Sequence, residues 1–310
     1  ESPDSCFTSP NRADSHKCLP VEGPDSSFGD HTHTVMLRQK QSHSSQDQSH
    51  SIPDHIQARL EKIWQQAYQA RTKDELKKLY ANWAASYDID HEAVGFFGHF
   101  ATAELLRKHI DGAESVSILD AGAGTGAAGT ALTQSGFTDL TGVDLSNEML
   151  SQAEKKQIYQ RLLQADLGFP LDDFSVDEFD AAVLVGVFSY GQAPAHALDE
   201  LIRVVKPGGV IVFTLRTDFY EDDEMTVRSR MTELQESSLW ELVEVTEPEQ
   251  YLPNKDPDAL FQVWCFRVTD MKYPPLDEYL VEAVDTVLTS DSPVKRFDHR
   301  HIWNSTASRL

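Results

Sequence analysis

The sequence predicts an α/β fold in which helices alternate with the strands of a mostly parallel sheet. First, a buried strand at residues 118–120 runs directly into a glycine-rich turn. Second, another strand-like run at residues 139–144 ends in an acid, Asp144. Third, strand-like and helix-like segments keep alternating up to about residue 215, which is typical of right-handed crossovers between parallel strands.

The chain divides into four segments. Residues 1–52 are rich in Ser, Asp, His, Gln and Pro, and we expect them to be disordered because they cannot bury enough apolar surface. Residues 53–112 are expected to form a helical cap, and residues 113–270 the α/β core. Residues 271–310 carry only scattered apolar positions and are expected to be a C-terminal extension.

Three helices are predicted in the cap. The first begins near Pro53, where apolar residues recur at helical spacing up to Tyr68. The second is predicted over residues 73–86, and the third over residues 98–110. We expect these helices to lie over a cleft at the edge of the sheet.

The predicted strands follow in order along the core. Parallel strands are expected near residues 115–120, 139–144, 159–164, 180–186 and 209–215. A helix is then expected at residues 224–236, followed by a closing antiparallel pair at residues 240–245 and 260–268. A reversed last strand is a feature that dinucleotide-binding folds generally lack.

The glycine turn fits two kinds of nucleoside cofactor. Residues 124–129 match the G-x-G-x-x-G pattern of dinucleotide sites, and Asp144 lies where a ribose-binding acid is expected. Asp120 favours S-adenosylmethionine instead, because a carboxylate before the glycines would repel a pyrophosphate but can hold an ammonium group. Asp166 follows the third strand, where it can accept a hydrogen bond from an adenine amino group.

These features, with the turn and strand at residues 204–215, resemble the class I S-adenosylmethionine-dependent methyltransferases from about residue 75 to about residue 270. Residues 80–88, YANWAASYD, are similar to the Y-x-x-W-A-x-x-Y-D motif of ubiquinone-biosynthesis-type methyltransferases. Residues 159–162, 185–192 and 206–217 look closest to the Williams–Beuren-region methyltransferase-like proteins.

The resemblance implies a Rossmann-like methyltransferase sandwich. Its mostly parallel seven-stranded sheet would have an antiparallel last strand and an N-terminal helical cap. It also implies S-adenosyl-L-methionine as the cofactor. It implies little about the methyl acceptor, and the chain departs from the family at both ends.

The residues expected to bind the cofactor lie in the cap, in the glycine turn and at the ends of strands. They are Tyr80, Trp83, Tyr87, Asp120, Gly122, Ala123, Gly124, Gly126, Asp144, Leu145, Met149, Asp166, Leu167, Val185 and Gly186. Several admit a structural interpretation. The glycines can be ordinary turn residues, Asp144 a helix cap beside the better cap Ser146, Asp166 a turn acid and Met149 a core residue.

The cap aromatics Tyr80, Trp83 and Tyr87 are spaced to share one helix face. They form either a packed face or an aromatic wall beside a sulfonium, where a ring face stabilises positive charge. Candidates for the catalytic residues are Tyr87, His91 and His196, with Asp218 as a further candidate base, and none stands out.

The acceptor pocket is expected at the carboxyl ends of the fourth and fifth strands. The residues predicted to contact the acceptor are Phe188, Tyr190 and Arg216. Arg216 is interpreted either as a clamp for a substrate carboxylate or as one partner of a surface ion pair. No metal site is expected, because the core shows no ligand cluster with usable spacing.

Composition narrows the function classes. The formal net charge of −23 argues against a nucleic-acid substrate, although it leaves a basic protein tail possible. The longest apolar run, residues 181–188, is too short to span a membrane. Three cysteines make no disulfide framework, so a cytoplasmic location is expected.

The predicted function is methyl transfer to a small-molecule acceptor, which would bear a carboxylate if Arg216 points into the cleft. Two alternatives stay open at this point. One is a protein methyltransferase for a basic tail, and the other is a non-catalytic partner protein that binds S-adenosylmethionine. The sequence does not predict the oligomeric state.

Overall fold

The computed structural model describes residues 52–70, 72–189, 192–222 and 226–271. The predicted tail and C-terminal extension therefore lie almost wholly outside the described residues, and both stay predictions. Tyr190, a predicted acceptor contact, also lies outside them.

The described helices and strands agree in order with the predicted alternation. The helices are α1 (Asp54–Gln69), α2 (Lys73–Trp83), α3 (Tyr87–Val94), α4 (Gly98–His109), α5 (Ala127–Gln134), α6 (Asn147–Lys155), α7 (Ala197–Val204), α8 (Thr217–Glu221) and α9 (Val227–Glu236). The strands are β1 (Ser117–Ala121), β2 (Asp139–Asp144), β3 (Arg161–Gln164), β4 (Phe179–Leu184), β5 (Val205–Arg216), β6 (Trp240–Val245), β7 (Glu249–Leu252) and β8 (Asp256–Val268).

The strands form one sheet in the order β3-β2-β1-β4-β5-β8-β6. The first five strands are parallel, and β8 runs antiparallel to both β5 and β6. This topology confirms the mostly parallel sheet with a reversed last strand. The short strand β7, which pairs with β8, was not predicted.

The sheet has an apolar cluster on each face. Leu119 and Ala121 of β1 point into one cluster, and Ile118 of the same strand points into the other. This alternation follows from the two-residue period of a strand. Because β1 is covered on both sides, its carboxyl end is the natural place for a cleft at the sheet edge.

The cap helices have a third apolar cluster of their own. The helical period of Ile56, Leu60 and Ile63 puts these residues on one buried face of α1. They pack with Leu79 and Trp83 of α2, which confirms the amphipathic character predicted for the first helix. Throughout the described ranges, every helix is too short or too polar to cross a membrane.

The helix predicted over residues 73–86 was wrong at its end. Helix α2 stops at Trp83, and α3 begins at Tyr87 after a short turn. The buried carboxylate of Asp90 explains the break, because it accepts hydrogen bonds from Trp83 Nε1 (2.7 Å) and Ser86 Oγ (3.1 Å). Residues seven positions apart in a continuous helix would be separated by about 10 Å along its axis.

The predicted fourth strand was also too long. Strand β4 ends at Leu184, so Val185 and Gly186 lie in the turn that follows. Gly186 has a φ of 69°, which an extended strand cannot accommodate. This turn directs the backbone toward the cleft.

Candidate active site

The glycine loop between β1 and α5 is held against β2. The N–H groups of Gly122 and Ala123 both donate to the carbonyl of Val143, over 2.8 and 2.9 Å. Gly124 has a φ of 54°, and its N–H donates to Asp144 Oδ2 over 2.9 Å. A Cβ placed on Gly124 would have open space around it, so the loop presents bare backbone beside the Asp144 carboxylate.

Asp144 is held by main-chain donors on both sides. Its Oδ1 accepts from the N–H of Ser146 over 2.8 Å, while Ser146 Oγ accepts from the N–H of Met149 over 3.3 Å. Ser146 is thus the cap of α6, as expected. Burial raises the pKa of Asp144, although the N–H groups of Ser146 and Gly124 oppose this shift. Met149 is buried, in agreement with its interpretation as a core residue.

Asp166 lies on the loop after β3 and already has partners. Its carboxylate accepts from Lys73 Nζ of α2 over 2.7 Å and from the N–H of Gly168 over 2.8 Å. These contacts agree with the interpretation as a turn acid, and the adenine role stays a prediction. Leu167 beside it is buried in the core, whereas Leu145 after β2 is half-buried.

His196 lies on the same side of the molecule as Asp166. Its Nε2 is 3.2 Å from the carbonyl oxygen of Gly168, and the side chain is exposed. This position joins His196 to the loop after β3, not to the aromatic side chains of the cap.

The predicted cap aromatics do come together, although a turn separates their helices. With three neighbours they form what we call the aromatic cluster, defined as Tyr80, Trp83, Tyr87, His91, Phe96 and Tyr251. The ring centroids of Tyr87 and His91 are 3.9 Å apart, and those of Trp83 and Tyr87 are 4.7 Å apart. Tyr251 of β7 packs edge-on against Phe96 at 5.1 Å.

Trp83 is the structural anchor of this cluster. It is 5% exposed, and its indole N–H is committed to Asp90. Asp90 also receives two hydrogen bonds from Arg59 Nε, which fastens α1 to α3. For Trp83 these contacts favour the packed-face interpretation over an open wall.

Two further contacts tie the cap to the core, and sequence reasoning missed both. The Thr125 hydroxyl in the glycine loop donates to Asp88 Oδ1 on α3, and Lys156 Nζ lies 2.8 Å from Asp88 Oδ2. The Tyr80 hydroxyl contacts the side-chain amide of Gln192. When this amide is oriented with its oxygen toward Tyr80, its nitrogen donates to the Gly186 carbonyl over 3.0 Å. The signal for Asp88 was its place at the end of the motif at residues 80–88.

Two titratable groups of the cluster, Tyr87 and His91, are neutral near pH 7. His91 Nδ1 lies 3.1 Å from the carbonyl of Tyr87, so Nδ1 carries the proton and Nε2 is an acceptor. Burial lowers the pKa of His91 to about 4 and that of the nearby His99 to about 4. Burial also raises the pKa of Tyr87 well above its ordinary value. His99 Nδ1 has no hydrogen-bond partner within the described ranges.

The edge formed by β4 and β5 differs from the expected acceptor pocket. Phe188 is buried and packs against Phe213 at 5.4 Å, so its contact with the acceptor stays a prediction. Aromatic residues after a strand are hard to assign, because the same pattern serves a core and a pocket. Val185 and Gly186 remain at the edge, where the N–H of Gly186 donates to Thr214 Oγ1 over 2.8 Å.

Arg216 is engaged in an ion pair. Its Nε and one terminal nitrogen donate to the carboxylate of Asp218 over 2.9 and 2.7 Å. The guanidinium also lies over the rings of Phe219 and Tyr251, at 4.6 and 5.3 Å from their centroids. The structure agrees with the ion-pair interpretation, and a carboxylate clamp would need Asp218 to be displaced.

Asp120 lies under the glycine loop. It is 0% exposed, and burial raises its pKa to about 7. Its Oδ2 accepts from the hydroxyl of Tyr159 over 2.5 Å, whereas Oδ1 has no partner among the described residues. The negative charge of Asp120 beneath the loop, the open backbone at Gly124 and the acid at Asp144 fit S-adenosylmethionine as the cofactor.

The family comparisons agree with this geometry. A family model described as a methyltransferase domain matches residues 119–213. Human methyltransferase-like protein 27 is 34% identical over 165 residues, which cover 53% of this chain and 67% of that protein.

Two bacterial relatives are more distant. The malonyl-[acyl-carrier protein] O-methyltransferase of Pectobacterium atrosepticum is 30% identical over 55% of this chain and 64% of its own length. The demethylmenaquinone methyltransferase of Chlorobaculum tepidum is 29% identical over 46% of this chain and 59% of its own length. The chain therefore spans less than two thirds of either bacterial enzyme. With the match to the human protein, the chain belongs to the S-adenosylmethionine-dependent methyltransferases, in the family of methyltransferase-like protein 27.

Proposed function

We propose that this methyltransferase acts on an uncharged, flat small molecule. The observation that carries the proposal is the aromatic cluster, whose titratable members Tyr87 and His91 are held neutral by burial. A charged acceptor placed against such a surface would lose its hydration without gaining a partner. A flat acceptor, in contrast, can stack against the exposed part of these rings.

The core residues are proposed to hold the cofactor. The carboxylate of Asp144 is available for the ribose hydroxyls, and the bare backbone at Gly124 allows close approach. When bound, S-adenosylmethionine supplies a methyl group already activated by a positively charged sulfur. The ring faces of Tyr80 and Tyr87 are proposed to stabilise that charge and to exclude water.

A proton must leave when the acceptor is a hydroxyl, amine or thiol. We assign this proton to His91 Nε2, which is an unprotonated acceptor because Nδ1 faces the Tyr87 carbonyl. A pKa of about 4 makes His91 a weak base. That strength is sufficient for a hydroxyl acceptor, because an oxygen that has gained a methyl group and still carries its proton is strongly acidic. His196 is a poorer candidate, since it lies on the loop after β3.

A carboxylate on the acceptor is not part of the proposal. Arg216 was the reason to expect one, and its guanidinium is paired with Asp218. An acceptor carboxylate would have to replace Asp218 at the same site. The relatives named for demethylmenaquinone and for malonyl-acyl carrier protein show that similar chains take different acceptors.

A methyl-transfer screen tests this proposal. The protein is incubated with isotope-labelled S-adenosylmethionine and matched pairs of flat molecules that differ only in the presence of a carboxylate. We expect label on the uncharged member of a pair, and we expect His91→Phe to reduce it. Label only on carboxylates, or only on a basic protein added to the mixture, would contradict the proposal.

A further inference from the structure

A tyrosine lies beneath the glycine loop in a slot made by three glycines. Tyr159 precedes β3, and its ring lies beside Gly142 of β2. A Cβ built on Gly142 or on Gly126 would lie 3.1 Å from the Tyr159 ring, and one on Gly129 would collide with the hydroxyl. The absence of side chains at these three positions is what admits the ring.

The slot places the Tyr159 hydroxyl within hydrogen-bond distance of the Asp120 carboxylate. The hydroxyl donates to Asp120 Oδ2 over 2.5 Å, a length typical of a charge-assisted bond. Tyr159 keeps its proton, because burial and the neighbouring Asp120 raise its pKa well above the ordinary value. The other oxygen, Oδ1, lies in the buried interior without a partner among the described residues.

Burial, hydrogen bonds and charged groups from several elements determine the pKa of Asp120. Burial raises its pKa most strongly, the Tyr159 hydrogen bond lowers it, and Asp144 at the end of β2 raises it. The main-chain N–H of Gly129 in α5 and the Lys156 side chain after α6 lower it. The resulting pKa of about 7 leaves the charge on Asp120 sensitive to the loss of a single donor.

We propose that Tyr159 is a positioning residue that keeps Asp120 ionised beneath the glycine loop and thereby sets how strongly the loop binds the ammonium end of the cofactor. The inference depends on the proposed cofactor site, because Asp120 is assumed to face that end through the loop. Asp120 is 0% exposed, so it acts through its field and not by direct contact. A fixed negative charge in a poorly solvated site attracts a nearby cation strongly.

The sign of the pH effect follows from this arrangement. The ammonium group is attracted only when Asp120 is ionised, so cofactor affinity should rise as the pH rises through about 7. The Tyr159 hydrogen bond lowers the pKa of Asp120. Tyr159→Phe should therefore move the midpoint to higher pH and weaken binding at pH 7 by about three- to tenfold, as expected for one lost hydrogen bond.

The test is calorimetric binding of two nucleosides to the full chain between about pH 5 and pH 9, a range that brackets the expected midpoint. S-adenosylhomocysteine carries the ammonium group, and methylthioadenosine lacks the whole amino-acid portion. Only S-adenosylhomocysteine should show the pH midpoint and the difference between wild type and Tyr159→Phe. Equal midpoints in the two proteins would overturn the inference. Failure of wild type to bind either nucleoside would instead overturn the cofactor site itself.

Further variants test whether the shifted pH midpoint results from the lost hydrogen bond and not from a general change in packing. Gly129→Ala places a methyl group against the Tyr159 hydroxyl and should reproduce the shift of Tyr159→Phe. Tyr220→Phe is the matched control, because Tyr220 stacks on Trp264 at 5.0 Å on another part of the sheet. Its pH midpoint should equal that of wild type.

A direct readout needs no ligand. The carboxyl carbon of Asp120, followed by NMR during a pH titration of the ligand-free protein, should titrate at higher pH in Tyr159→Phe. A carboxyl signal that titrates identically in both proteins would show that the tyrosine only fills space.

Discussion

The hydroxyl of Thr125 in the glycine loop donates a hydrogen bond to the carboxylate of Asp88 on α3. This bond joins the helical cap directly to the loop proposed to hold the cofactor. Asp88 also accepts from Lys156 Nζ at 2.8 Å, so its charge is balanced at the same place. Cofactor binding and cap position should therefore be coupled.

Thr125→Val should weaken S-adenosylhomocysteine binding. The change keeps the shape of the side chain but removes the only donor that it offers to Asp88. We expect a loss of about 1 kcal/mol, the usual value for one hydrogen bond, measured by calorimetry. Thr133→Val is the matched control, because the exposed Thr133 hydroxyl bonds only the Gly129 carbonyl of its own helix. Unchanged affinity in Thr125→Val would mean that the cap and the loop act independently.

Variants of Asp144 and Ser146 should distinguish a residue that binds the cofactor from a residue that caps a helix. Asp144→Ala removes the acceptor proposed for the ribose and should cost about 1–3 kcal/mol of cofactor affinity. Ser146→Ala removes the side-chain acceptor for the Met149 N–H and should cost about 1 kcal/mol of folding stability while affinity changes less. Calorimetry and thermal denaturation of both variants distinguish the two effects. Wild-type affinity in Asp144→Ala would contradict the ribose role.

The residues that were predicted well depend on local patterns. The strand at residues 118–120, the glycine turn and the Ser146 cap each follow from a few neighbouring residues, so the sequence alone indicates them. The end of α2 at Trp83 could not be foreseen, because it depends on Asp90 and on Arg59, which lies 31 positions away from it. The Lys73–Asp166 pair spans 93 positions, and spacing carries no signal for such a contact.

The side-chain positions on the acceptor side depend on distant contacts in the same way. Phe188 and Arg216 lie at the expected strand ends, but neighbours in three dimensions decide where their side chains go. Phe188 packs against Phe213 in the core, and Arg216 forms an ion pair with Asp218. Strand order thus locates the cleft, whereas packing and ion pairs determine its lining.

Asp90 should make the cap sensitive to acid. Burial alone would raise its pKa, but hydrogen bonds from Arg59, Trp83 and Ser86 hold the pKa below its ordinary value. Asp90 therefore contributes stability above the unfolded pKa of about 4, and this stability is lost as the pH falls through the lower folded value. Breaking the pair should cost less than the roughly 3–5 kcal/mol typical of a fully buried pair, because the Arg59 side chain is 36% exposed.

Asp90→Asn tests that contribution. We expect a lower melting temperature than wild type at pH 7 and a smaller difference between the two proteins at pH about 3, where wild-type Asp90 is losing its charge. The exposed Asp111→Asn is the control, and its melting curve should follow that of wild type. A difference between Asp90→Asn and wild type that stays constant with pH would show that the charge of Asp90 is unimportant.

His91→Phe tests the proposed proton acceptor. The phenyl ring can retain the stacking on Tyr87, which has a centroid distance of 3.9 Å in the wild type, but it removes the Nε2 lone pair. His91 is proposed to act only by accepting a proton from the bound acceptor. We therefore expect kcat to fall by about 10²- to 10⁴-fold while the affinity for S-adenosylhomocysteine stays the same. In the wild type, a pKa of about 4 for His91 means that kcat should show no loss caused by protonation of this histidine between about pH 5 and pH 8.

His196→Ala, on the loop after β3, is the control and should leave kcat unchanged. If His196→Ala lowers kcat and His91→Phe does not, the proton leaves on the side of Asp166, and the aromatic cluster serves only to position the acceptor.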